Sequence, residues 1–163
     1  MGKKLDSVKS RSKEGGEIFK ATNELGKKAV SDVKKMKGLI DSLPTDVDDE
    51  ITAAAKAVTE GTRSDAEGYM QSTVSSKLEA GRKSMDASSK EAGDQIKSNE
   101  RVKATFAQMD SVGAFGKAAR DQGRSAVDSS TNEFNKAIAE NTEQTRKAEE
   151  DYKKDLSDIS GTF

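Results

Sequence analysis

Apolar residues in this chain recur in threes and fours and almost never alternate with polar ones. Before Pro44, two heptad series run three residues apart: Val8, Gly15, Thr22, Ala29, Met36, Leu43, and Leu5, Ser12, Phe19, Gly26, Val33, Ile40, Val47. That spacing is the signature of two edges of one helical seam, and it predicts a first helix over about 3–43. The early seam positions are small or polar and the later ones larger, so the seam strengthens toward Pro44. Gly15-Gly16 is its weak spot, costing about 2 kcal/mol against alanine.

Pro44 marks the clearest boundary, because proline disfavours helix in the residue before it and suits the start of the next. Thr45 followed by Asp48 resembles a capping box. Asp46, Asp48, Asp49 and Glu50 suit the positive end of a helix dipole. A calcium loop is the alternative for these acids, but the sixth-position glycine and the twelve-residue ligand pattern are missing.

Val47, Ile51, Ala54 and Val58 carry the stripe on, and it thins over 61–68, where two glycines and no large apolar residue occur. A kink, a loop or a weak helical stretch is expected there. The stripe resumes at Val74, Leu78, Gly81, Met85, Ser88, Ala92 and Ile96 and runs through Val102, Phe106 and Met109, which predicts helix over 46–110 outside that stretch. Val112-Gly113-Ala114-Phe115-Gly116 predicts a turn at about 111–116. A last helix over about 117–159 is marked by Ala119, Phe134, Ile138, Asn141, Ala148, Tyr152, Leu156 and Ile159, with a frayed end at 161–163.

The expected fold is therefore all-α: one helical domain over 1–163, an elongated antiparallel helical hairpin or a bundle of three to four long helices. The residues expected to form its interaction seam are Phe19, Val33, Met36, Ile40, Leu43, Val47, Ile51, Val58, Leu78, Met85, Ile96, Phe106, Phe134, Ile138, Tyr152 and Leu156.

Composition sharpens this. The 163 residues include only 33 Val, Ile, Leu, Met, Phe and Tyr, few for a compact globule but enough for a narrow seam. Leu, Ile, Val and Phe number 26, in the range where disorder competes, while the near-zero net charge argues against it. Residues 1–43 carry 11 basic and 6 acidic side chains and residues 44–100 carry 7 and 12, a complementarity that suits antiparallel neighbours.

The chain has no histidine, cysteine or tryptophan. Imidazole and thiolate chemistry, disulfides and ordinary zinc, iron–sulfur or haem ligation are excluded by residue type. No Ser–His–Asp triad, di-iron Glu-x-x-His pair or P-loop is available. An enzyme is not expected, nor is a cofactor or metal. Lys27-Lys28 and Lys34-Lys35-Met36-Lys37 form the densest basic run, but acids flank it and no aromatics interleave, so a solvated helix face is preferred to a nucleic-acid contact. Gly113-Ala114-Phe115-Gly116 has the outline of a GXXG clamp without the surrounding KH fold. No stretch approaches the ~20 apolar residues of a membrane span, and Met1-Gly2-Lys3-Lys4-Leu5-Asp6 has no apolar run of the Sec type. A cytoplasmic location, or secretion without a Sec signal peptide, is expected.

Residues 69–109 carry a family likeness. Tyr69-Met70-Gln71, Lys77-Leu78-Glu79-Ala80-Gly81 and the Ala-Gly-x-x-Ile-x-x-x-Glu stretch from Ala92 to Glu100, followed by Phe106, resemble the second helix of WXG100-type proteins. Those are small helical hairpins of type VII secretion, grouped here with the helical partners of LXG toxins. The chain has no Trp-x-Gly turn, and Tyr152 is followed by Asp155 and then Leu156. The resemblance implies a secretion substrate, or a targeting partner that pairs with a toxin through its apolar seam.

The sequence thus points to a non-catalytic helical interaction or assembly protein, its partner being another protein or a second copy of itself. Nucleic acid and small molecules are not expected as partners. The alternatives are a protectant resembling late-embryogenesis-abundant proteins, supported by low apolar content with abundant Gly, Ser and Lys, and a helical structural protein that coats a surface through its apolar face.

Overall fold

The computed structural model describes residues 2–163 and is all-α, with no strand among the described residues. α1 spans Lys3–Asp41, α2 Asp49–Tyr69, α3 Ser75–Asp110 and α4 Lys117–Thr162. Met70–Val74, between α2 and α3, is π-helical, so 49–110 is one unbroken helix. Three long helices result, linked at 42–48 and 111–116.

The first link is longer than the spacing around Pro44 suggests. The chain leaves the helix after Asp41, where the Ser42 hydroxyl donates to the Leu39 carbonyl at 2.6 Å and competes with further winding. Asp48 occupies the N-cap of α2 without a side-chain capping bond, so the Thr45–Asp48 capping box does not form. Asp49 and Glu50 still lie in the first turn of α2, where the dipole favours them. In the second link Gly116 has φ +77, a conformation that costs a residue with a Cβ about 1–2 kcal/mol. Two arginines fasten this turn. Arg120 Nε donates to Asp110 at 2.8 Å and Arg124 to the other oxygen of the same carboxylate, while Arg120 and Arg124 also reach the carbonyls of Gly113 and Phe106.

Residues 61–68 are helical within α2. The stripe continues there in steps of four, Val58, Thr62, Ala66, Met70, Val74 and Leu78, two of which are small or polar. Steps of four overrun the 3.6-residue period, and the π-turn takes up the excess residue. Met70 and Val74, at its two ends, are fully buried.

Packing groups the chain into two compact units. Unit 1 takes the chain to Gly15 together with Arg82–Gln144, and unit 2 takes Gly16–Gly81 with Thr145–Phe163. In unit 1, Leu5 and Val8 of α1, Ala92 of α3, and Phe134 and Ala137 of α4 form the apolar cluster, with Ile96 and Ile138 half-buried against it. Met85 packs beside Gly15, where a Cβ would stand 3.1 Å from its side chain. The glycine that weakens helix propensity thereby makes room for a buried methionine, whose burial contributes about 1.5–3 kcal/mol.

In unit 2, Val30 and Val33 of α1, Met70 and Val74 of the π-turn, and Ile159 of α4 form the cluster, flanked by Leu25, Ala66, Tyr69, Tyr152 and Leu156. Phe19 lies against Gly81.

Candidate functional site

The expected seam residues divide by environment. Phe19, Val33, Leu78, Met85 and Phe134 are buried, Ile96, Phe106, Ile138, Tyr152 and Leu156 are half-buried, and Ile40 is intermediate. Met36, Leu43, Val47, Ile51 and Val58 are exposed, Ile51 by 56%. The first group holds helices of one unit together. The exposed group lies on the α1–α2 hairpin of unit 2, and Leu39, 65% exposed, belongs with it.

α4 contributes Ile159 to the cluster at Val33 and Met70, and Ser160 donates to Glu67 at 3.0 Å. Beyond this cluster, among the described residues, Met36 and Leu39 of α1 and Ile51 and Val58 of α2 are exposed. Beside this point a groove of about 550 Å³ opens between α1 and α2, lined by Leu25, Ala29, Val33, Met36, Ala66 and Tyr69 among others. Lys28 and Asp32 also line it and are bonded at 2.8 Å. That bond holds the Asp32 carboxyl below its usual value and raises the Lys28 ammonium.

Unit 1 has a smaller counterpart at the α3–α4 turn. Val112 and Phe115 are 87% and 97% exposed, with Val102 and Met109 nearby in sequence and also exposed. Met109, Val112, Gly113, Phe115 and Arg120 line a shallow hollow of about 270 Å³. Phe106 covers Gly123, where a Cβ would stand 2.8 Å from its ring.

Polar groups interrupt the seam inside each unit. In unit 1, Asn141 is buried; its amide donates to Ser88 Oγ at 2.9 Å and Ser89 Oγ at 3.1 Å, and its carbonyl accepts from Ser12 Oγ at 2.6 Å. Ser88 in turn donates to the Val8 carbonyl at 2.8 Å. Ser12 of α1, Ser88 and Ser89 of α3 and Asn141 of α4 are thus tied into a single layer across three helices, the arrangement by which a buried amide selects register. In unit 2, Asp155 is 1% exposed and accepts from Lys27 Nζ at 2.6 Å. That hydrogen bond, against some desolvation, raises the Lys27 ammonium above its usual value. Gly26 provides the space, since a Cβ there would stand 2.5 Å from Asp155 Oδ2.

Val30, Met70 and Asp155 are interior residues that the seam reading does not anticipate. A heptad count finds Asp155, because Phe134, Asn141, Ala148 and Asp155 lie seven apart; its charge conceals it. Among the described residues no group of three or more acidic side chains is arranged to hold a metal ion, and no helix is long and apolar enough to cross a membrane. Comparison with protein-family models, curated proteins and solved structures finds no match for this chain.

Proposed function

We propose that this chain is a non-catalytic helical interaction protein whose binding face is the α1–α2 hairpin of unit 2. The observation that carries the reading is the exposure of Met36, Leu39, Leu43, Val47, Ile51 and Val58 along one hairpin, where Val30 and Val33 of α1 are buried and α2 buries no residue. Contiguous apolar surface of this kind is costly to leave in water and is characteristic of interaction sites. An amphipathic helix or helical hairpin is the matching partner, because it presents apolar side chains at the same three- and four-residue spacing.

Within that class, the likeness of residues 69–109 to WXG100-type helices favours a type VII secretion substrate or a toxin-targeting partner. The protectant alternative requires a chain unfolded in water, and the closed Asn141 layer weighs for a specific fold in its place.

Site-specific photo-crosslinking tests the reading. A crosslinker at Ile51 is expected to capture a helical protein, while one at exposed Lys83 is not. No protein captured at Ile51, or equal capture at both positions, sinks it. Export that stops when the type VII secretion ATPase is deleted would support the narrower assignment, and unchanged export would remove it.

A further inference from the structure

The face described above leaves its occupant open, and the charge pattern of the same hairpin narrows the choice. Residues 27–41 of α1 carry five basic and two acidic side chains, and residues 46–67 carry seven acidic and two basic. The hairpin therefore has one basic and one acidic helix. Its ion pairs run along each helix, Lys28 to Asp32, Lys37 to Asp41 and Arg63 to Glu67. Among the described residues none joins the basic helix to the acidic one, so the difference in sign is not used inside the hairpin. Lys34, Lys35, Glu50 and Glu60 are all exposed.

The apolar stripe is also wider than two helices need. A two-helix seam uses heptad positions a and d, and Val33, Met36 and Ile40 fill these on α1, with Leu43 just beyond its end. Leu39 sits one position before Ile40, a g position, and is the most exposed of the hairpin's large apolar residues. Apolar residues at a, d and g mark a helix that contacts more than one neighbour.

Resting on the interaction reading above, we infer that the occupant is a second copy of this chain. Two α1–α2 hairpins pack face to face as a four-helix arrangement, with α1 of each copy beside α2 of the other. A basic helix then meets an acidic one at both contacts, which a two-fold axis makes equivalent.

Sedimentation velocity of the full chain over the micromolar range is the test, with far-UV circular dichroism as the folding control. The wild type is expected to sediment as a concentration-dependent dimer, and Ile51→Glu to weaken it by at least about tenfold, as loss of a central apolar anchor does. Lys34→Glu/Lys35→Glu and Asp46→Lys/Glu50→Lys/Glu60→Lys, all at exposed positions, are each expected to be folded monomers, because the first turns the basic segment net acidic and the second turns the acidic segment net basic, so each sets like charges against one another. Mixed together, they are expected to recover a dimer, since every contact between copies is again of opposite sign. Charge repulsion within one hairpin cannot be repaired by mixing, so recovery separates docking from folding.

A wild type that stays monomeric, charge variants that dimerise as the wild type does, or a mixture that stays monomeric overturns the inference. A monomeric wild type that is still crosslinked at Ile51 to a different helical protein overturns self-docking and leaves the interaction reading standing. A monomer with no captured protein removes both.

Discussion

The ring of Phe19 occupies the space that a side chain on Gly81 would fill, and a Cβ at that glycine would stand 2.6 Å from two of its ring carbons. Alanine in place of an open helical glycine gains about 0.5–1 kcal/mol, whereas overpacking a core costs about 1–3 kcal/mol. Gly81→Ala is therefore expected to destabilise unit 2, while Gly61→Ala, where a Cβ meets nothing within 4 Å, stabilises it. Urea unfolding followed by circular dichroism compares the two, and equal stabilisation by both would show that Phe19 moves aside without cost.

Removing the Asn141 amide leaves Ser12 and Ser89 without the partners described above. Asn141→Ala is expected to cost about 1–3 kcal/mol, the penalty for buried polar groups left unmade. Ser89→Ala, which loses the longest of the three bonds, is expected to cost less. Chemical denaturation gives both values, and a neutral Asn141→Ala would mean that water replaces the amide.

The Lys27–Asp155 pair predicts an alkaline weakness. Its hydrogen bond raises the Lys27 ammonium above the usual 10.5. The stability it contributes is therefore fully present below that value and is lost as pH rises through the higher folded one. Lys27→Met strands a buried carboxylate and is expected to lower stability at neutral pH by on the order of 1–3 kcal/mol. The variant should also lose the part of the alkaline decline that Lys27 is expected to contribute. Urea midpoints measured from neutral pH upward check both, and an unchanged alkaline limb in Lys27→Met would exclude this lysine as its source.

Asp110 predicts the opposite limb. Arg124 and then Arg120 hydrogen-bond its carboxylate and hold it below the usual 3.8, so its contribution is present above 3.8 and fades as pH falls through the lower folded value. A carboxyl titration by NMR is expected to place Asp110 below the usual value. Asp110→Asn is expected to speed amide exchange over residues 111–116, and exchange that stays at the wild-type rate would show that the backbone alone holds the turn.

The periodicity of α1 made the all-α class legible, and Leu5, Val8, Phe19 and Val33 are buried on the heptad series that contains them. The same series includes Met36 and Leu43, which are exposed. A heptad reports that one face is apolar and does not report whether another helix lies opposite it. Residues 61–68 suggested a break because the stripe there proceeds by fours through Thr62 and Ala66, too small and polar to register. Asp155 was hidden for the opposite reason: its charge outweighs its position unless Gly26 and Lys27, 128 residues away from it at the ion pair, are known to face it.

The π-turn at Met70–Val74 has a bearing on the hairpin face some distance along the helix. A π-turn holds one residue more than the α-turn it replaces. Deleting exposed Gln71 together with the π-turn would leave the heading of α2 nearly unchanged, whereas winding all five residues as ordinary α-helix would swing α2 by about 100° about its own axis relative to Val74 and Leu78. Ile51 and Val58 would travel round the helix with it, and the apolar stripe of α2 would point away from that of α1. The compass heading of the hairpin face is thus set by how a remote turn is wound, independent of any side chain within the face itself.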